Sequence, residues 1–546
     1  MKGDRIEIIE ELGYSRLFVD FLNDHRALRP FVAPEPVEAK LLALSKRNIP
    51  REKLADLLSN QNKSWQAPAE VFESIAKLKD DRAVTIMTGQ QAGLFGGPYL
   101  TILKALGAVK RARRLERELS VPVVPIFWIA ADDHDFEEIS SVDIFNTSGE
   151  SAQLAIDFDP ETSYPPMGRM SYDSSITREI DRFENLLPDN DFKQTVLDLL
   201  RQCYRSEKNI VDCFAEYLLS LIGHFGIVPL NPHDRDFKIL AAPFMESVIG
   251  HHREMKTALA ATEKELAGAG YHLQVKKASS ATHLFIHRPE RKPLHRDEST
   301  KEEADYFTDG DSRFSPEELI EQINTEPYDF SPDVISRPLL QSYLFPAVEV
   351  IGGPAEVAYF AQIMPLFDLF NLVRPQIMRR PSLTLVESRF EKLWKKHNLS
   401  YQQVTIDIER TIKSIVEEGF SVGLEKRLDG FSGAVKGHFK SIREELIAFD
   451  PTLNDTATKT GERIDFQIKQ LKQKALDTHK KKNKDVRRRL TKLGDHFYPH
   501  RAPAERSIAI AYFVSRYGEG ILDFIYESMD IDETGHQLLT LSGYHG

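Results

Sequence analysis

Two strongly apolar segments that enclose one amphipathic segment constrain the fold of this chain more than any other feature. Residues 83–88 (AVTIMT) form a short β-branched run that ends at a glycine, and residues 121–131 (VPVVPIFWIAA) are almost uniformly apolar. Between them, residues 99–118 place leucine and valine at helical spacing, with lysine and arginine at other positions. Because continuous apolar strands are typical of parallel sheets covered on both faces, this order predicts a strand–helix–strand unit.

Further apolar runs extend this unit into a larger sheet. Residues 225–230 and 345–351 predict a third and a fourth strand of the same kind. Polar, irregular stretches separate these strands and predict two modules inserted into the core. The sequence therefore predicts an α/β protein built on a doubly wound parallel sheet.

The chain changes character after residue 387, where proline becomes rare and apolar residues recur in alternating steps of four and three. This heptad pattern breaks at residues 450–455 and then resumes, which predicts a long α-helical coiled-coil hairpin. The last fifty residues are apolar enough to return to the core. The predicted organisation is 1–142 N-terminal helices and first half of the core, 143–222 first insertion, 223–270 core, 271–330 second insertion, 331–387 second half of the core, 388–496 coiled-coil hairpin and 497–546 C-terminal segment.

Composition narrows the functional class. The net charge of −12 and the pI of about 5.9 disfavour nucleic-acid binding by the molecule as a whole. The two cysteines, Cys203 and Cys213, form neither a disulfide framework nor a zinc spacing, which fits a reducing compartment. The N-terminus lacks the apolar region of a signal peptide, and the longest apolar runs are too short to span a bilayer. We therefore expect a cytoplasmic protein that is not bound to a membrane.

The first candidate site is the glycine-rich segment of residues 88–98 (TGQQAGLFGGP), which follows a predicted strand and precedes a predicted helix. Open parallel sheets bind ligands at the carboxyl ends of their strands, and helix N-termini attract anions. The segment is neither a GxGxxG nor a Walker A motif. The alternative is a tight turn without a ligand, but the adjacent amides of Gln90 and Gln91 favour substrate binding. The candidate anion-binding residues are Gly89, Gly93, Gly96 and Gly97.

The second candidate site follows the next predicted strand, at residues 132–138 (DDHDFEE). Crowded acids and a histidine are costly unless a cation, an amine or solvent relieves them, and such groups can transfer protons. We interpret Asp133, His134 and Asp135 as the catalytic group, and the two glutamates that follow as the start of a helix. The alternative is an acidic helix cap. A metal site is not predicted, because the remaining histidines offer no convincing ligand set.

Weaker candidates surround these two. Gly352 and Gly353 form a second glycine turn after a strand, and we expect it to face the first turn. Arginines and polar residues follow other strands or precede helices, where they can bind phosphate or carboxylate groups. The substrate-binding and nucleotide-binding candidates of this kind are His233, Asp234, Arg337, Gln341, Arg379 and Arg380.

The predicted hairpin carries a basic stretch between Lys469 and Lys492, with eleven lysines and arginines against two aspartates. Such a stretch is typical either of a nucleic-acid arm or of the solvated face of a coiled coil. The absence of interleaved aromatic residues favours the solvated face, so a nucleic-acid partner is not expected.

Four segments together resemble one family, the cysteine-adding enzymes of bacillithiol biosynthesis. They are MTGQQAGLFGGPYLTILKA, VPVVPIFWIAADDHDFEEI, FSPDVISRPLLQSYLFPAVEVIGGPAEVAYFAQI and YPHRAPAERSIAIAYFVSRYG, and the resemblance extends over about residues 14–517. It implies a Rossmann-like core with connecting-peptide insertions, and a coiled coil through which subunits form a homodimer. It also implies a ligase that adds L-cysteine to the amine of glucosaminyl malate, with ATP and Mg as the activating pair and no tightly bound prosthetic group.

The resemblance also suggests roles for the candidate residues. ATP phosphates would lie on the turn from Gly93 to Gly97, with Arg379 and Arg380 stabilising charge. Gln90 and Gln91 would orient cysteine, and Asp133, His134 and Asp135 would bind the sugar amine. Neither signature motif of the related class I synthetases is present. The alternative function is an RNA-associated or nucleotidyltransferase-like protein that uses the basic arm.

Overall fold

The computed structural model describes residues 5–32, 35–133, 135–157, 165–288, 290–298, 305–418 and 422–544. The chain divides into two compact units, one formed by residues 1–386 and 502–546 and the other by residues 387–501. In the described part of the chain, no helix is long and apolar enough to cross a membrane.

The strands and helices of the described residues are numbered here in chain order. The strands are β1 (Arg5–Ile6), β2 (Val84–Gln90), β3 (Val123–Ile129), β4 (Ser141–Phe145), β5 (Ser151–Ala155), β6 (Val228–Leu230), β7 (Ala281–His287), β8 (Arg291–Arg296), β9 (Phe307–Thr308), β10 (Arg313–Phe314), β11 (Phe330–Pro332), β12 (Ala347–Gly352), β13 (Gln376–Arg379), β14 (Leu383–Val386) and β15 (His536–Thr540). The helices are α1 (Arg16–Leu22), α2 (Arg29–Val32), α3 (Val37–Leu44), α4 (Arg51–Ser64), α5 (Ala69–Lys77), α6 (Leu100–Leu119), α7 (Phe136–Ile139), α8 (Ser175–Leu186), α9 (Lys193–Cys203), α10 (Ile210–Ile222), α11 (Arg235–Gly250), α12 (His252–Gly268), α13 (Pro316–Thr325), α14 (Arg337–Leu344), α15 (Pro354–Leu369), α16 (Ser388–His397), α17 (Tyr401–Thr405), α18 (Ile408–Glu418), α19 (Val422–Phe449), α20 (Asn454–Phe497), α21 (Ile510–Tyr517) and α22 (Gly520–Ser528).

The core of the first unit is a five-stranded sheet in the order β13-β12-β2-β3-β6, and every neighbouring pair is parallel. All seven residues of β3 are buried, as its uninterrupted apolar sequence predicts. The predicted doubly wound sheet is thus confirmed, and the four strands predicted from apolar runs are β2, β3, β6 and β12. Chain order reverses between β2 and β12, so the topological switch point lies between the two glycine turns.

The polar stretches between core strands contain secondary structure of their own. Strands β4 and β5 form an antiparallel hairpin followed by α8, α9 and α10. A second antiparallel sheet has the order β10-β9-β8-β7-β11, and two of its strands have only two residues each. Strand β15 joins the C-terminal segment to the first unit by pairing with β14 and β1.

The second unit contains a helical hairpin of α19 and α20, as the heptad pattern predicted, together with the shorter helices α16, α17 and α18. Helix α19 has 28 residues and α20 has 44, and Asp450 caps the turn between them by accepting a hydrogen bond from the Thr452 N–H at 2.9 Å. Several basic residues of α20 pair with acids of the same unit. Lys472 Nζ lies 2.7 Å from Asp429, and an Arg487 guanidinium nitrogen lies 2.7 Å from Glu409. These pairs fit the interpretation of the basic stretch as a solvated face.

Candidate active site

A cavity of about 560 Å³ lies at the switch point, where β2, β3 and β12 reach their carboxyl ends. We call it the larger cavity. It brings together predicted residues from both glycine turns, from the acidic loop and from two later segments. Those that line it are Gly89, Gln90, Gln91, Gly93, Gly97, Asp133, Arg337, Gln341, Gly353 and Arg380. His134 lies outside the described residues.

The first glycine turn does not offer its glycine N–H groups to a ligand. Gly93 N–H donates to the Gln91 carbonyl at 2.9 Å, and Gly97 N–H donates to the Leu94 carbonyl at 2.9 Å. Gly96 N–H donates to the buried Tyr204 hydroxyl at 2.7 Å, and its φ of +84° requires a glycine. Each of these three N–H groups is therefore hydrogen bonded within the protein, so a phosphate on the turn from Gly93 to Gly97 would have to be bound by other groups.

The start of α6 is the part of this segment that remains suited to an anion. Thr101 is fully buried and lines the larger cavity, and its hydroxyl has no hydrogen-bond partner among the described residues. Leu100 lines the cavity as well, at the positive end of a 20-residue helix. An anion in the larger cavity would thus meet a helix N-terminus and a hydroxyl group that is available to bind it.

Lys104 is a functional residue that the sequence did not single out. Its side chain is 3% exposed and donates to the Gly89 carbonyl at 3.0 Å and to Gln90 Oε1 at 2.9 Å. It also forms an ion pair with Glu356 in the first turn of α15. Lys104 therefore fixes the end of β2 and the orientation of the Gln90 amide. In the sequence it is one of several basic residues of an amphipathic helix, so nothing marked it as buried.

Glu356 connects Lys104 to the second glycine turn. Its Oε2 accepts a hydrogen bond from the Gly353 N–H at 3.0 Å. Burial opposes ionisation of this carboxyl, but the Lys104 ammonium outweighs it and lowers the pKa of Glu356 to about 2. Gly352 does not line the larger cavity. A Cβ at Gly352 would lie 2.6 Å from Glu356 Cβ, so its glycine serves close packing rather than ligand binding.

The acidic loop after β3 divides into a structural part and an accessible part. Asp132 is buried, and its oxygens accept hydrogen bonds from Lys238 Nζ at 2.7 and 2.8 Å and from His233 Nδ1 at 2.7 Å. Because His233 Nε2 accepts from Arg169 Nε at 3.1 Å, Nδ1 carries the proton and donates. Burial alone would raise the pKa of Asp132, yet Lys238 and His233 hold it well below its usual range.

The predicted roles of His233 and Asp234 as substrate ligands are corrected by their contacts. His233 is 2% exposed and lines neither the larger cavity nor the smaller one described below, and burial lowers its pKa. Asp234 caps α11 by accepting hydrogen bonds from the Asp236 and Phe237 N–H groups at 2.9 and 3.1 Å. Both residues follow a core strand, as predicted, but their side chains stabilise the fold around the acidic loop.

Asp133 is the aspartate of the loop that lines the larger cavity. Its side chain is 32% exposed and lies 3.5 Å from the Gln91 amide nitrogen and 3.7 Å from the Arg291 guanidinium. Asp135, in contrast, is exposed at the start of α7 and does not line the larger cavity. Of the two aspartates predicted to be catalytic, Asp133 therefore lines the larger cavity and Asp135 does not.

Glu138, interpreted from the sequence as part of a helix start, faces the larger cavity instead. Its Oε1 accepts a hydrogen bond from the Gln90 amide at 2.9 Å, so Gln90 connects Lys104 to Glu138. Withdrawal from water raises the pKa of Glu138, and the charges of Asp135 and Asp133 raise it further. A carboxyl with a raised pKa at a cavity wall is suited to proton transfer.

The two adjacent arginines have different positions. Arg380 is 6% exposed, lines the larger cavity and binds Glu505 Oε1 at 2.6 Å. Arg379 instead donates to the Glu533 and Gly535 carbonyls at 2.7 and 2.9 Å and does not line this cavity. The expectation that Arg379 stabilises charge on a nucleotide in this cavity is wrong, because its guanidinium is hydrogen bonded to carbonyl groups of the C-terminal segment instead.

Arg337 begins α14 and is half-buried at the wall of the larger cavity. Tyr359 contacts it, and among the described residues no carboxylate lies within 4.0 Å of its guanidinium. Gln341, one turn further along the helix, lines the same wall. A half-buried guanidinium without a carboxylate beside it is a ready ligand for a carboxylate or a phosphate.

The described residues contain no group of three or more His, Cys, Asp or Glu side chains that could hold a metal ion. The described side chains that line the larger cavity offer carboxylate, amide, guanidinium, ammonium and hydroxyl groups. These can bind anions, orient an amine and accept its proton.

Comparison with known proteins shows similarity to a single family over nearly the whole chain. Residues 1–381 match the family described as the N-terminal Rossmann-like domain of bacillithiol biosynthesis BshC, and residues 383–541 match its C-terminal coiled-coil domain. The protein named "Putative cysteine ligase BshC" from Salinibacter ruber is 30% identical over 535 residues, which cover 96% of each chain. The protein of the same name from Koribacter versatilis is 28% identical and covers 97% of this chain and 98% of its own.

Proposed function

We propose that this chain, which belongs to the BshC family of bacillithiol biosynthesis and is a cysteine ligase, joins the carboxyl group of L-cysteine to the amine of glucosaminyl malate. The observation that carries the proposal is the arrangement of Arg337, Asp133 and Glu138 around one cavity at the switch point of the sheet. A guanidinium that can bind a carboxylate thus lies in the same cavity as carboxylates that can bind and deprotonate an amine.

ATP would supply the leaving group that a carboxylate needs before an amine can displace it. The residues present fit a nucleotide, because the cavity volume of about 560 Å³ is within the range of small-molecule sites. The N-terminus of α6, Thr101 and Arg380 would hold its phosphates, and Mg would accompany those phosphates. Arg380 is already oriented by Glu505, so it can stabilise negative charge without rearranging.

The bond-forming step then needs a neutral amine. The amine nitrogen attacks the activated carboxyl carbon, the carbon–oxygen bond to the phosphorylated oxygen breaks, and the nitrogen loses a proton. Glu138 would accept that proton, and Gln90 would hold the Glu138 carboxylate in place. Gln91 would position the amine, since it lines the same cavity.

A mass-spectrometric assay with the full-length protein, L-cysteine, glucosaminyl malate and ATP tests this proposal. We expect a product with the combined mass of cysteine and glucosaminyl malate less one water, formed only when all three substrates are present. Arg337→Met should lower kcat/KM by at least about 100-fold, because a guanidinium–carboxylate pair is lost. Product formation at an unchanged rate without nucleotide would refute the role of ATP.

We further propose that the protein is a homodimer that assembles through the coiled coil. Helices α19 and α20 expose large apolar side chains, among them Phe449 at 86% and Leu471 at 60%. Exposed apolar positions on heptad-patterned helices are typical of helix–helix interfaces. Light scattering coupled to size-exclusion chromatography should give twice the chain mass, and Leu471→Lys should shift the protein towards the monomer.

The cytoplasm is the compartment we propose for this reaction. Cys203 and Cys213 are free and buried, and burial raises the pKa of each thiol to about 11. Thiols kept in this form fit a reducing environment. Both should react with a thiol reagent only after unfolding.

A further inference from the structure

A second cavity of about 180 Å³ adjoins the larger one, and we call it the smaller cavity. The two share Trp128, Ala130, Asp133 and Arg337 in their walls. The smaller cavity extends from the carboxyl end of β3 towards the sheet that contains β7 and β11. Its volume is well below the roughly 300–1,000 Å³ of sites for drug-sized ligands, so it suits only a small molecule.

The charges of the smaller cavity are nearly balanced. Asp132 pairs with Lys238 at 2.7 Å, Asp333 lies 3.4 Å from Lys277, and Asp133 lies 3.7 Å from Arg291. Each carboxylate in the wall therefore has a cation beside it.

Arg337 is the exception to this balance. It lies at the junction of the two cavities, and no carboxylate of the described residues is within 4.0 Å of its guanidinium. The lining of the smaller cavity thus carries three aspartates and three cations, and Arg337 is the cation among them that has no carboxylate beside it.

This distribution discriminates between ligands. A dicarboxylate would add two negative charges to a lining whose own charges already balance, which is unfavourable where water is scarce. A carboxylate–ammonium pair is better matched. Its carboxylate can bind Arg337 in bidentate geometry, and its ammonium can lie beside Asp133, which lines the smaller cavity as well.

The uncharged walls indicate the size of the remaining group. Trp128, Pro332 and Val334 supply apolar surface, and the Arg291 guanidinium covers the Phe285 ring at 3.5 Å from its centroid. Because Arg291 packs on this ring, it closes one side of the cavity. A short side chain fits between these walls.

We propose that the smaller cavity binds the amino acid substrate, with its α-carboxylate on Arg337, its α-ammonium beside Asp133, and its side chain between Trp128, Pro332 and Val334. This assignment rests on the proposed function and adds to it the division of the site between substrates. The α-carboxylate then faces the larger cavity, where it is activated and meets the acceptor amine. The α-ammonium is held away from that amine, which prevents cysteine from acting as its own acceptor.

Calorimetric titration of the full-length protein, with a non-hydrolysable ATP analogue and a phosphine reductant present, tests the chemistry of the subsite. The probes are L-cysteine, 3-mercaptopropionate, which lacks the ammonium, cysteamine, which lacks the carboxylate, and L-malate. We expect L-cysteine to bind at least tenfold more tightly than either truncated analogue, and L-malate not to compete with it. Competition by L-malate, equal binding of 3-mercaptopropionate, or no binding of L-cysteine would overturn the assignment.

Variants locate the subsite. Val334→Phe fills the smaller cavity without changing its charge, and we expect it to raise the Kd for L-cysteine at least tenfold while the Kd for the ATP analogue stays within twofold. Arg337→Lys keeps the charge but loses the bidentate geometry, and we expect it to change the two constants in the same way. It replaces Val334→Phe as the test if that variant does not fold. The matched control is Lys276→Gln, since Lys276 is exposed and lines neither cavity. It should leave both constants unchanged.

The binding and turnover experiments test different claims, so one claim can be refuted while the other stands. If L-cysteine binds as described but no product forms with glucosaminyl malate, the proposed acceptor is wrong and the amino acid subsite stands. If product forms but Val334→Phe and Arg337→Lys raise the KM for glucosaminyl malate rather than for L-cysteine, the ligase stands and the subsite assignment is overturned.

Discussion

Lys238 Nζ lies 2.7 and 2.8 Å from the two carboxylate oxygens of Asp132, and both residues are buried. The same ammonium donates to the Phe330 carbonyl at 2.9 Å. Lys238 therefore connects the loop after β3 to the start of β11. The next residue of that loop, Asp133, lines both cavities. Asp133 thus directly follows a residue that a buried ion pair holds in place.

Replacement of Lys238 by methionine should destabilise the first unit strongly. The substitution leaves the Asp132 carboxylate buried with its main counter-charge removed, which typically costs about 3–5 kcal/mol. Urea denaturation followed by circular dichroism measures the loss. The double variant Asp132→Asn, Lys238→Met should be less destabilised than Lys238→Met alone, because no buried charge is stranded. A change below about 1 kcal/mol in the single variant would show that the pair contributes little.

Arg379 and Arg380 form a matched pair for testing the larger cavity. Arg380→Lys should lower kcat/KM by about 10- to 100-fold, since a lysine cannot reproduce the planar contact with Glu505 next to the cavity. Arg379→Lys should change kcat/KM less than threefold, because its partners are carbonyl groups of the C-terminal segment. Thermal unfolding of both variants serves as the control for folding. Equal losses in the two variants would contradict the geometry.

Glu138 and Asp135 test which acid of the loop transfers the proton. Glu138→Gln should lower kcat by about 100- to 10,000-fold, as expected for the loss of a general base. Asp135→Asn should have a small effect, because Asp135 is exposed and does not line the larger cavity. Because the pKa of Glu138 is raised, the wild-type kcat should fall as the pH drops through it, and Glu138→Gln should lose this dependence. A larger loss in Asp135→Asn would restore the assignment made from the sequence.

His536 should make the stability of the first unit sensitive to acid. It is buried between Ser382 and Thr384, whose hydroxyls lie 2.8 Å from its two ring nitrogens, and burial lowers its pKa from 6.5 to about 4. The unfolded chain therefore takes up a proton on this residue at a higher pH than the folded chain. The contribution of neutral His536 to the unfolding free energy is complete above about pH 6.5. It is lost as the pH falls towards 4, and the loss is at most about 3 kcal/mol. The unfolding free energy of His536→Gln should fall less than that of the wild type over this range, and parallel curves would exclude the effect.

The parts of the fold that follow local rules could be predicted from the sequence. Uninterrupted apolar runs predicted β2 and β3, and the glycines after β2 and β12 predicted turns at the switch point, since both signals lie within a few residues. The sheet formed by β7 to β11 was not predicted. Strand β8 has the sequence RKPLHR, and strands β9 and β10 have two residues each, so their pairing partners rather than their own composition determine their conformation.

The part of the candidate site that was predicted lies at or just after the ends of core strands, or at the start of a helix. Asp133, Gln90 and Arg337 line the larger cavity as expected, but Lys104 and Glu505 became visible only through contacts with residues more than a hundred positions away. His233 was chosen for its place after β6, and the sequence could not show that Asp132 and Arg169 occupy both of its ring nitrogens. Long-range pairing of charges determines which polar residues face the ligand and which support the fold.

Oxygen-isotope transfer tests the central claim, which is that the chain activates the carboxylate of cysteine with ATP before amide formation. L-Cysteine labelled with ¹⁸O in both carboxylate oxygens is incubated with the protein, glucosaminyl malate and ATP. The masses of the products are then measured by mass spectrometry. We predict one labelled oxygen in the amide product and the other in inorganic phosphate or AMP, in equal amounts. Amide product that forms with no label in phosphate or AMP would contradict the account.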